Sequence, residues 1–221
     1  MENTEAKYKK TFLIVGIVMA ATELIKQLLL TFAVGQGSYQ WWYFPWQLCS
    51  IPMYACIIAG VCRSRKVYAS CLAFISDFGL LAGICAFLDT SGFQYELAIL
   101  TVHSYLWHIV LIALGIYAWY VRAKCRVQKL AFCGGFLIYL SACVIAEIIN
   151  VIAFDNGCRP INMFYISPRY LMTQVYIKDL APVIGNSACI LLYIAVTVAG
   201  ALIIELIGSM ITRPTKDLGK E

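Results

Sequence analysis

Residues 127–153 read VQKLAFCGGFLIYLSACVIAEIINVIA, and this stretch decides the fold. From Leu130 to Ala153 its only charged side chain is Glu147. A helix rising ~1.5 Å per residue over such a run crosses the ~30 Å of bilayer hydrocarbon. Lipid offers backbone amides and carbonyls no partner, so the run is helix and not strand. Working outward, five more apolar segments stand at about 11–34, 44–62, 67–88, 97–121 and 186–211. The whole chain agrees: 62% hydrophobic, 13% charged, mean hydropathy +0.78, against roughly a quarter charged in soluble domains. The expected fold is an all-α membrane protein, a bundle of six transmembrane helices. It forms one domain over residues 11–212, with tails at 1–10 and 213–221 and a long outer loop between helices 5 and 6.

Charge between the segments sets the orientation. Lys7, Lys9 and Lys10 precede the first segment, and Arg63, Arg65 and Lys66 join the second to the third. Arg122, Lys124, Arg126 and Lys129 join the fourth to the fifth, and Arg213, Lys216 and Lys220 follow the sixth. The alternate links differ: 35–43 is uncharged, 89–96 holds only Asp89 and Glu96, and 154–185 is mixed. Positive charge therefore marks every second link as cytoplasmic, placing both termini inside. The expected location is a bacterial-type plasma membrane. Tyr39, Trp41, Trp42, Tyr43, Phe44 and Trp46 bunch at the outer start of helix 2, where headgroup-level anchoring explains them.

The same patterning excludes other classes. The net charge of +5 lies in short clusters between apolar runs, which argues against a nucleic-acid partner. The basic start followed by an apolar run is too long for a signal peptide and contains Glu23 and Lys26, so it reads as a retained helix. The ten cysteines form no CxxC and no Cys/His cluster of zinc spacing. Most lie singly in apolar runs, where Cys acts as a small hydrophobe. No metal or cofactor is expected, and the expected partners are membrane lipids, as solvent and as candidate substrate.

Ionisable residues within membrane helices cost about 3 kcal/mol each on insertion scales and point to function. Those singled out here are Glu23, Lys26, Asp77, His103, His108 and Glu147. Glu23 and Lys26 are i, i+3 neighbours suited to an ion pair. Asp77 has no near partner in sequence, and Lys26 or a histidine across the bundle is the expected one. Glu147 and Asn150 share a face of helix 5, where they can meet a wet cavity. Both histidines fall on helix 4, five residues apart and so about 140° apart around it. Each has a bland reading, a hydrogen bond between helices, beside a chemical one.

The stretch Phe44-Pro45-Trp46-Gln47-Leu48-Cys49-Ser50-Ile51-Pro52 is the second informative one. Pro45 suits the first turn of helix 2, and Pro52 would open the helix one turn later. Cys49 would then lie in the second turn from the outer face, at a depth comparable to His103 and His108. A thiol near a helix N-terminus and an imidazole on a neighbouring helix form the pair that nucleophilic acyl chemistry needs.

These stretches resemble the family that joins bacterial YwaF-type integral membrane proteins to the eukaryotic transmembrane protein 164. The resemblance rests on Pro45-Trp46-Gln47-Leu48-Cys49-Ser50, on Trp107-His108-Ile109-Val110-Leu111, and on Asn162-Met163-Phe164-Tyr165-Ile166-Ser167-Pro168. This chain has Gln47 where the family pattern usually has histidine, and Ile161-Asn162-Met163 where it has Asn-Tyr-Met. The resemblance implies a six-helix fold and, from the eukaryotic members, a membrane acyltransferase with Cys49 as nucleophile and His108 as base. His103 joins them as a third candidate catalytic residue. Trp46, Gln47, Asn162, Glu147, Asn150 and Glu23 are the candidate substrate-binding residues. Two alternatives stand beside a lipid-directed acyltransferase or hydrolase: a small-molecule or proton-coupled carrier, and a non-catalytic membrane subunit.

Overall fold

The computed structural model describes residues 2–127 and 131–211; the expected tail at 213–221 lies outside them. Among the described residues every regular element is helical. Helix α1 spans Glu2–Leu28 and runs on in π-helical geometry over Leu29–Val34, so it starts well before the expected residue 11. Then follow α2 (Ile51–Val61), α3 (Arg65–Ala86), α4 (Ala98–Cys125), α5 (Ala131–Asp155) and α6 (Asn186–Ile211). Five of these are long and apolar enough to cross a bilayer.

Helix α2 is the exception. Its 11 residues reach only ~16 Å, about half the hydrocarbon thickness. The expected helix over 44–62 is therefore corrected: residues 44–50 are turns, and the helix begins after Ser50. Pro52 sits in the first turn, where its missing N–H opens nothing, and Pro45 lies ahead of the helix. Non-helical backbone at membrane depth survives only where protein satisfies it. Here the Tyr54 hydroxyl donates to the Pro45 carbonyl (3.1 Å), the Trp107 indole to the Cys49 carbonyl (3.0 Å), and the Ser50 amide to the Gln47 carbonyl (2.8 Å). The Trp46 indole donates to the Ala142 carbonyl (3.1 Å), tying the segment to α5.

Helix α3 is the hub. Its span is 61% buried, against 17% for α6. Ser64 caps it, its hydroxyl accepting from the Val67 amide (3.4 Å). Midway, Phe74–Gly79 adopts π-helical geometry, turning Phe74, Ser76, Asp77 and Phe78 into the interior. Phe78 stacks on Phe74 (5.6 Å) and on Tyr139 of α5 (4.9 Å). Helices α1 and α2 approach closely because each presents a glycine to a larger residue of the other, a use of small residues common between membrane helices. A Cβ on Gly60 would lie 2.5 Å from the Leu13 Cβ, and one on Gly16 would lie 2.8 Å from Ile57 Cγ1.

Between α5 and α6 the chain makes short 3₁₀ turns at Met163–Tyr165 and Lys178–Leu180 and one α-turn at Ala181–Ile184. It inserts Ile161, Met163, Phe164 and Ile166 into the same core as the helices. The connection caps the Cys49 end of the bundle.

Candidate functional site

The three sequence stretches carrying the resemblance converge at one end. Gln47 does this locally: its amide nitrogen donates to the Asn162 carbonyl (3.4 Å), and its oxygen accepts from the Phe164 amide (2.8 Å). Phe164 and Tyr165 hold φ near +57° and +59°, a left-handed backbone that costs about 1 kcal/mol per bulky residue. Gln47 and Asn150 hold this turn in place. The Asn150 amide nitrogen donates to the Met163 carbonyl (3.0 Å), and its oxygen accepts from the Met163 amide (2.6 Å). Asn162 donates to Thr173 Oγ1 (3.3 Å) and accepts from the Ser167 amide (3.0 Å). Gln47, Asn150 and Asn162 therefore fasten the cap while Trp46 ties residues 44–50 to α5, and their polar groups face protein. Glu147 stands apart, half-buried on α5, and does not pair with Asn150.

Cys49 sits in the turn just before α2, half-buried, with its thiol free. Trp107 grips its carbonyl, and the Trp107 ring packs 5.4 Å from that of His103, one helical turn away on α4. Both His103 nitrogens are buried without a hydrogen-bond partner. His108 is differently placed. Its ring stacks on Phe93 (4.4 Å) and meets Phe87 edge-on, and its Nδ1 lies 2.8 Å from the Ser104 carbonyl. A carbonyl only accepts, so Nδ1 carries the proton and Nε2 keeps the lone pair. Neither imidazole is hydrogen-bonded to the Cys49 thiol.

The centre of the cluster is on α1. Lys26 and Glu23 form the expected ion pair at 3.3 Å, and Glu23 is 4% exposed. Gln27 donates to Glu23 (2.6 Å) and to the Tyr43 carbonyl (2.7 Å), leaving its own oxygen buried and unpartnered. Lys26 lies within electrostatic reach of Cys49, His103, His108 and Tyr95. In the sequence Lys26 reads as half of an ion pair; its electrostatic reach to the thiol and the imidazoles depends on how α1, α2 and α4 pack.

A model of the TMEM164 family matches residues 2–206. The chain belongs to that family. No curated protein and no solved structure matches it. With five helices able to cross a bilayer, this TMEM164-family member is a multi-pass integral membrane protein.

A second polar cluster lies toward the other end of α4. Asp77 on the π-turn of α3 is 0% exposed and pairs with Arg122 at 3.0 Å, not with Lys26 or a histidine as expected. Arg122, expected in a cytoplasmic link, is in the last turn of α4 and 2% exposed. It also pairs with Glu205 of α6 (2.8 Å). Glu205 carried a signal that the sequence reading passed over: it is a lone acid in the apolar run 186–211. Among the described residues no group of three His, Cys, Asp or Glu is arranged to hold a metal ion.

Proposed function

We propose that this protein is a lipid-directed acyltransferase or hydrolase in which Cys49 is the nucleophile. Six crossings with both termini cytoplasmic fit the charge pattern, residues 44–50 and α2 together serving as one broken crossing. The Cys49 end then faces the outer leaflet. In this reading the Cys49 thiolate attacks the carbonyl of a lipid ester, forming a thioester. The lipid alkoxide leaves with a proton returned by an imidazolium, and an acceptor hydroxyl or water then takes the acyl group.

The observation that carries the reading is the company Cys49 keeps: an ammonium within electrostatic reach, and Trp107, which grips the Cys49 carbonyl and packs on an imidazole whose two nitrogens are buried without a partner. A cation in a water-poor site favours the developing oxyanion. His103 is the proton carrier this arrangement favours, since its nitrogens have no structural duty. His108, the base implied by the resemblance, has its own supporting observation: the Ser104 contact fixes the tautomer that leaves Nε2 free to accept.

The test uses purified protein in vesicles containing phospholipid with labelled acyl chains. Cys49→Ala abolishes transfer and release of label, and His103→Ala lowers the rate about 10²-fold or more, the usual contribution of a general base. Native rates in Cys49→Ala would end the proposal. Loss in His108→Ala with none in His103→Ala would move the proton-transfer role to His108.

A further inference from the structure

The Asp77–Arg122–Glu205 cluster takes no part in the chemistry at Cys49, and its charges do not balance. Arg122 Nη1 reaches Asp77 Oδ1 (3.0 Å), Asp77 Oδ2 (3.3 Å), Ser76 Oγ (2.7 Å) and Glu205 Oε2 (2.8 Å), and Nη2 reaches Glu205 Oε1 (2.9 Å). One guanidinium thus serves two carboxylates. The groups facing Asp77 come from every helix packed around it. From α4 they are Arg122 and the Trp119 indole, which donates to Oδ1 (3.2 Å). From α6 comes Glu205, and from α3 itself the Ser76 hydroxyl, 2.8 Å from Oδ1. Helix α5 presents the Tyr139 ring stacked on Phe78, and α2 presents Pro52 against Gly79, neither bringing a charge.

If all three groups were ionised, the cluster would hold one uncompensated negative charge among apolar side chains. Such a charge is neutralised by taking up a proton in preference to staying ionised. We propose that the Asp77–Arg122–Glu205 cluster is a proton-binding site that holds one proton at neutral pH, shared by the two carboxyl groups. The proton belongs to the pair, because each acid feels the other through the same guanidinium. Glu205, with 18% of its side chain exposed against 0% for Asp77, is the route by which the proton enters and leaves.

Infrared spectroscopy of the full chain in lipid nanodiscs tests this. The wild type at neutral pH shows a protonated-carboxyl C=O band that shifts in D₂O and is lost at alkaline pH. Glu205→Gln, at the edge of the cluster and near-isosteric, removes the band, because one acid and one guanidinium are then neutral without a proton. Asp77→Asn removes it for the same reason while keeping an oxygen to accept from Trp119. Each is read in a Glu147→Gln background, which removes the lone carboxyl elsewhere in the bundle as a second source of the band and itself leaves the cluster's band in place. Absence of the band in the wild type overturns the proposal, whatever the variants do. So does its survival in Glu205→Gln in that background, or its complete disappearance in Glu147→Gln alone.

Discussion

The two ends of this bundle each bury charged groups, and they do so in opposite ways. At the Arg122 end, all four carboxylate oxygens of Asp77 and Glu205 meet a donor, Arg122 Nε is left buried without a partner, and the cluster ties α3, α4 and α6 together. At the Cys49 end, Glu23 and Lys26 are paired, yet two imidazole nitrogens and the Gln27 oxygen are buried with nothing to bind. A satisfied network rigidifies; a partly satisfied one is costly unless something else completes it. Under the proposed function, the difference separates a structural joint from a site prepared for a ligand.

That contrast can be broken or sharpened by substitution. Arg122→Met strips the buried Asp77 and the half-buried Glu205 of their counter-charge, and a loss of roughly 3–5 kcal/mol is expected, read as a large drop in thermal midpoint in detergent. Retention of wild-type stability would mean that the joint holds nothing. Next in size, Gly60→Val drives a side chain into Leu13 and separates α1 from α2, with an expected cost of about 1–3 kcal/mol. It should also lower acyl transfer, because α1 carries Lys26 to Cys49. Gln47→Ala removes the clamp on the left-handed turn, at about 1–2 kcal/mol. Hydrogen exchange should then speed up across 162–167 while α3 stays protected. The smallest effect on stability belongs to His103→Phe, within about 0.5 kcal/mol of wild type or slightly stabilising, since no hydrogen bond is lost. A destabilisation as large as that of Arg122→Met would show that the unpartnered imidazole is itself a structural joint.

Much of this was legible in the sequence. Hydropathy alone marked the long helices, because a run such as 131–155 has no other way to satisfy its backbone in lipid. The Glu23–Lys26 pair followed from i, i+3 spacing. The failures share a cause: each depended on which helix faces which. Residues 44–50 are as apolar and aromatic as a helix start, and only the indoles of Trp46 and Trp107, reaching in from and toward other segments, reveal that the backbone is irregular there. Arg122 looked like a link residue because basic residues follow it, although it lies within the last turn of α4 and points at Asp77. At the candidate site, Cys49 and the histidines were visible as residue types. Their separation into an unpartnered His103 and a packed His108 was not, because both occupy one helix and only the neighbouring Phe93 tells them apart.

Covalent capture tests the account most directly. Full-length protein is incubated in vesicles with phospholipid carrying labelled acyl chains, quenched in acid, digested and analysed by mass spectrometry. The expected result is a hydroxylamine-sensitive acyl adduct on the peptide containing Cys49, formed more slowly in His103→Ala, where the leaving alkoxide lacks its proton donor. Label on other cysteines with Cys49 bare, or acyl transfer proceeding with no thioester at any time point, would contradict the claim that this thiol is the nucleophile.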